Sequence, residues 1–113
     1  IAELWANIPE SLAEMPYAKS AETLRKHALI RCGYADCETI DAGSKAAAER
    51  VAATVGKLAT AAHGYAIVAV SGQVVRCYTP QSQSARAMGG KTFQESKTRI
   101  LEWLDGLIAG VAA

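Results

Sequence analysis

Apolar residues recur along this chain in a helical rhythm over three stretches. Val51, Val55, Leu58 and Ala62 fall at i, i+4, i+7 and i+11, the spacing of one helix face. Ser44 stands where an N-cap belongs, and His63-Gly64 stands where the helix should end. A helix is therefore predicted over Lys45–Ala62, with Lys45, Glu49, Arg50, Thr54 and Lys57 on its polar side. Ala48, Ala52 and Ala59 leave room for something to approach it closely. Leu24, Ala28, Leu29 and Cys32 repeat the rhythm upstream. There Ser20 is a cap, Glu22 complements the helix dipole and Gly33 is a stop, so a helix is predicted from Ala21 to about Cys32. Near the end, Thr92-Phe93-Gln94-Glu95 has the pattern of a capping box. The helix it opens would reach about Val111. Ile100, Leu104, Leu107 and Val111 form its main stripe, and Leu101, Trp103 and Ile108 widen it. So much apolar circumference places this helix at the centre of the core.

Elsewhere the rhythm shortens to two. Tyr65–Val70 and Val74–Thr79 are rich in β-formers and flank Ser71-Gly72-Gln73, which reads as a hairpin. Either Ser71-Gly72 or Gly72-Gln73 can form the turn, and both choices keep the same residues on the same face. Ala66, Val68, Val70, Val75 and Cys77 make one face, expected to be core. Tyr65, Ile67, Ala69, Val74, Arg76 and Tyr78 make the other, which is neither plainly polar nor plainly interior. Tyr34–Gly43 reads as a loop with at most one helical turn. Pro80–Lys91 reads as a polar loop, long for so small a domain. Residues 1–16, with Leu4, Trp5 and Ile8 apolar and prolines at 9 and 16, read as an N-terminal arm. The predicted fold is α+β: three to four helices and one two-stranded antiparallel hairpin in a single domain over residues 1–113.

Composition adds one pressure. Alanine fills about a fifth of the chain, so its helices bury less apolar area per residue than leucine-rich ones. A domain of 113 residues is already short of buried surface, and self-association would relieve the deficit. The 12 basic and 11 acidic residues are interleaved, for a net charge of +1. That argues against a protein wrapped by duplex DNA. No apolar run has the length of a membrane span. The odd set Cys32, Cys37 and Cys77 points to reduced thiols and a cytoplasmic protein, with a Cys32–Cys37 disulfide as the alternative. The first residue is Ile1 rather than methionine, so a leader removed upstream stays open.

The residue types for metal binding are present as His27, Cys32, Cys37 and His63. No CxxC or HxxxH pair accompanies them, so no metal and no cofactor is expected. His27 reads as a surface histidine, and Cys77 as an inert thiol on the buried hairpin face. Gly89-Gly90-Lys91-Thr92 superficially suggests a phosphate cradle. It lacks the upstream glycine at the required spacing, and no strand feeds it. Scattered carboxylates and two isolated histidines supply no acid–base or nucleophile pair. The chain reads as no enzyme.

Two function classes remain. A protein-binding regulator, such as an inhibitor, anti-activator or adaptor, would use the mixed hairpin face of Tyr65, Ile67, Val74, Arg76 and Tyr78. Trp103 on the last helix and Leu4 and Trp5 on the arm are further candidate contacts, and a homodimer is expected. The alternative is a winged-helix-like DNA-binding regulator. There Lys45, Arg50, Thr54 and Lys57 would face the groove and Arg76 would sit on the wing. Against it, the hairpin tip carries no basic side chain.

Overall fold

The computed structural model describes residues 5–6 and 15–112. They form two compact units, one from residues up to Tyr34 together with those from Ser82 onward, the other from Ala35 to Gln81.

The first unit is helical. A 3-10 turn at Pro16–Ala18 leads into helix α1, Ala21–Arg31. Its start is fixed locally. Ser20 Oγ accepts from Thr23 N at 3.1 Å, and Thr23 Oγ1 accepts from Ser20 N at 3.0 Å, a reciprocal capping box closed by threonine. Leu24, Ala28 and Leu29 of α1 are buried against Ile100 and Leu104. The last two belong to the long C-terminal helix, Gly90–Ala112. Burying each leucine is worth about 2 kcal/mol, so these residues hold the unit together.

A short helix, Ala85–Met88, precedes the long one and is capped by Ser84, whose Oγ accepts from Ala87 N at 3.1 Å. This replaces the loop expected over Pro80–Lys91. Thr92 is no cap, because the long helix already begins at Gly90 and Phe93 N reaches Gly89 O at 2.9–3.0 Å spacing typical of a first helical bond, here 3.0 Å. Leu4 and residues 7–14 of the predicted arm lie outside the described residues.

The second unit is a β-α-β-β arrangement. Strand β1 (Ala35–Asp41) is followed by helix α2 (Lys45–His63), strand β2 (Ile67–Ser71) and strand β3 (Val74–Pro80). With α1 and α2 so placed, the short and long C-terminal helices are α3 and α4. The sheet order is β1-β3-β2, with β3 antiparallel to both neighbours. The sheet thus has three strands, which corrects the two-stranded hairpin expected from the sequence. Residues 35–41, read as a loop, are the third strand. Every one of them has a β3 partner, from Ala35 opposite Pro80 to Asp41 opposite Val74. Strand-poor Asp36 and Glu38 are tolerated because β1 is an edge, where charged side chains are common.

The hairpin turns through Gly72-Gln73. Gly72 has φ +60° and no non-glycine residue has positive φ among those described, the pattern of a type II′ turn. Helix α2 begins with Ser44 Oγ accepting from Ala47 N at 3.1 Å and ends on Gly64 at φ +80°, as the sequence indicates. Its seat on β2 and β3 keeps Val51 and Val55 of the predicted stripe half-buried but departs from the stripe at its other two positions. Leu58 is 67% exposed and Ala62 is exposed, whereas Ala48 is buried and Ala52, Gly56 and Ala59 are half-buried. A helix crossing a sheet at close range needs small side chains, so the alanine row takes the contact and leaves Leu58 outside it.

Candidate functional site

The ladder registers sort the sheet into two faces. Val68 lies opposite Cys77 and Val70 opposite Val75. Val75 and Cys77 are buried on the side that carries α2. The other face collects four of the predicted contact residues. Ile67 stands opposite Tyr78, Ala69 opposite Arg76 and Ser71 opposite Val74. Strand β1 extends this face, with Cys37 beside Tyr78 and Thr39 beside Arg76. Ile67, Val74 and Tyr78 are half-buried, and Arg76, Ala69, Thr39 and Cys37 are exposed. Arg76 has no carboxylate opposite it in the ladder. Tyr65 is half-buried in the connection before β2 rather than on the ladder.

The remaining predicted residues belong to the helical unit. Trp5 is 36% exposed, and its indole N–H donates to Ala18 O at 2.7 Å. Trp103 is half-buried against the Leu24–Leu104 core. Leu4 lies outside the described residues.

A second feature of the sheet was only half legible. With β1 on one side of β3, a single hairpin edge remains open among the described residues, the outer edge of β2. A two-residue loop makes Ser71–Val74 the hydrogen-bonded pair that closes the hairpin, and pairs alternate from there. Ile67, Ala69 and Ser71 therefore direct their main-chain groups to β3, while Val68 and Val70 direct theirs outward. The strand Ile67-Val68-Ala69-Val70-Ser71 carries no charge, and Val70 is 43% exposed. Along this edge runs a shallow, mainly apolar groove lined by Ala52, Ala53, Gly56, Lys57, Ala61 and Val68. The alanine row of α2 was its only sequence signal.

The opposite edge is different. Asp36 and Glu38 of β1 border a groove shared with Val55, Leu58 and His63 of α2. Asp41 ties the hairpin tip to this side, its Oδ1 accepting from Gly43 N at 2.9 Å and its Oδ2 from Gln73 Nε2 at 3.1 Å.

His27, expected on the surface, is buried; its ring stacks on Tyr17 at 4.3 Å and meets Trp103 at 5.5 Å. Burial, and secondarily the Arg31 charge, push its pKa down to about 4. Arg31 Nε lies 3.5 Å from His27 Nε2. Burial pushes the Cys32 and Cys77 thiols up, opposite to what a nucleophilic thiolate requires. All three cysteines are free. Glu22 is held below the usual carboxylate range chiefly by its hydrogen bond from Arg25. Arg25 also donates to Gln83 Oε1 at 2.9 Å, Gln83 Nε2 donates to Ser96 Oγ at 3.0 Å, and Ser96 Oγ donates to Phe93 O at 2.7 Å. This chain of bonds braces the helical unit. Among the described residues no three His, Cys, Asp or Glu side chains are grouped to hold a metal ion. Among them, too, no helix is long and apolar enough to cross a membrane.

The chain matches no protein-family model, and no curated protein or solved structure matches it either.

Proposed function

We propose that this chain is a non-enzymatic protein-binding regulator, acting as an inhibitor, anti-activator or adaptor does, by occupying a surface of another polypeptide. The observation that supports this most is the outer edge of β2. It offers the main-chain groups of Val68 and Val70, no charge and a flanking apolar groove, which is what an added strand requires. The adjoining face supplies the side chains that would select a partner, Ile67, Val74, Arg76 and Tyr78. Three free thiols fit a reducing compartment such as the cytoplasm.

The test compares wild type with Val70→Pro and Arg76→Glu as immobilised baits in an extract of the source cells. Proline at Val70 removes an outward-facing donor, which an edge strand tolerates. The reading expects at least one protein retained by wild type to be lost with both variants while their far-ultraviolet circular dichroism is unchanged. Identical retention by all three would end it. The DNA-binding alternative draws on the exposure of Lys45, Arg50, Thr54 and Lys57. It predicts duplex retention that falls steeply with salt, and weak, salt-insensitive retention would dismiss it.

A further inference from the structure

Resting on that protein-binding reading, we propose that the polypeptide seated on the β2 edge is a second copy of this chain. The two β2 strands pair antiparallel about a two-fold axis at Ala69. The two α2 helices lie side by side on one face of a six-stranded sheet.

Four independent features converge on this arrangement. The first is main-chain register. With the axis at Ala69, Val68 of each copy stands opposite Val70 of the other. Both residues direct their N–H and C=O groups outward, so the two pairs form four hydrogen bonds. The second is the choice of edge. Self-pairing through β1 about Glu38 would set that carboxylate opposite its own copy, with Asp36 on the diagonal to it, and like charges across a ladder repel. The β2 strand has no charge to oppose it.

The third is helix spacing. Helix α2 sits over β2 and β3, so its axis lies about 4.8 Å from the two-fold, given strands about 4.8 Å apart. The symmetry-related helices are then about 10 Å apart, the upper end of ordinary helix contact. Ala52, Ala53 and Gly56 on the facing side permit that approach.

The fourth is charge complementarity, and it fixes the register. Gly56 lies against Val68. β1 and β2 are parallel, and the connections at 42–44 and 64–66 are short, so α2 runs antiparallel to β2. Three residues back from Gly56 along the helix is Ala53, about 4.5 Å away. One residue on from Val68 is Ala69, about 3.3 Å away in the same direction. Ala53 and Ala69 therefore stand at nearly the same height, and one axis passes beside both. About an axis at Ala53, Glu49 of each helix stands opposite Lys57 of the other. Glu49, Ala53 and Lys57 share one row of α2 at i, i+4 and i+8, and all three are exposed in the single chain.

Sedimentation equilibrium of the purified full chain tests this. Wild type is expected to be a dimer, and Val70→Pro a monomer, with its dissociation constant raised at least about a hundredfold by lost hydrogen bonds and a steric block. Glu49→Lys and Lys57→Glu should each weaken the dimer about tenfold, since each turns two attractions into two repulsions. Combined, they should restore it. These two side chains are too far apart on one helix to meet, so rescue reports contact between copies and does not depend on how Val70→Pro folds. Three results would overturn the proposal: a monomeric wild type, a dimer indifferent to Val70→Pro, or a double exchange no tighter than the singles. A monomeric wild type whose bait still loses a partner on Val70→Pro removes the second copy as occupant and leaves the protein-binding reading standing. One that loses none removes both.

Discussion

Gly56 of α2 and Val68 of β2 stand so close that a Cβ built on the glycine would lie 3.4 Å from the valine Cγ2. This contact sets the height of the helix above the sheet. Gly56 has ordinary helical geometry, so alanine gains helix propensity of about 1 kcal/mol and meets Val68 at a tolerable distance. Gly56→Ala is expected to stabilise the chain by about 0.5 kcal/mol. Gly56→Leu must push the helix off β2 or force a poor rotamer, and should cost about 2 kcal/mol or more. Urea denaturation of the two variants decides the point. Equal stabilities for both would show that α2 is not held down at this position.

How much of this could be read from the chain follows from how local each signal is. Ser20 and Ser44 announce their helices because a cap and the amide it binds are three residues apart. The hairpin faces were legible for a similar reason, since a two-residue slip in the turn leaves every side chain on its own face. β1 was hidden because Asp36, Glu38 and Asp41 lower its strand propensity. What makes it a strand is β3, far along the chain. His27 was misread as a surface residue because Tyr17 and Trp103, the rings that cover it, come from outside its own helix. The β2 edge was half visible. A two-stranded hairpin by itself has two edges, but only the β1–β3 pairing shows which one stays open and uncharged among the described residues.

The three thiols should separate by reactivity. Cys37 is exposed on the sheet face opposite α2. Cys77 is buried beneath the helix, and burial pushes its pKa up, with Cys37 and Glu38 adding to the rise. Cys32 is half-buried, donates to Arg99 O at 3.6 Å and is likewise raised by burial. Because the thiolate is the reacting species, a disulfide reagent at pH 8 should titrate one equivalent quickly. The other two should react at least about tenfold more slowly. Cys37→Ser should abolish the fast phase alone. A fast phase of two equivalents that falls to one in Cys77→Ser would contradict the placement of Cys77 under α2.

His27 gives the fold a pH dependence whose direction can be worked out. Its pKa is about 4 in the folded chain and about 6.5 when unfolded. Between those values the unfolded chain binds the proton and the folded chain does not, so stability rises with pH across the window and falls on acidification. The loss starts as pH drops through about 6.5, amounts to about 2 kcal/mol at pH 5 and levels off below pH 4 at about 3 kcal/mol. The cause is that a charged imidazole between Tyr17 and Trp103 would lose its hydration, with the Arg31 guanidinium nearby adding repulsion. Most carboxylates titrate below the interval from pH 7 to 5, so that interval is the one to compare. Urea midpoints at pH 7, 6 and 5 should fall for wild type and stay nearly level for His27→Gln, which cannot take up the proton. A His27→Gln chain as acid-sensitive as wild type would mean that the ring stacked on Tyr17 charges as readily in the fold as out of it.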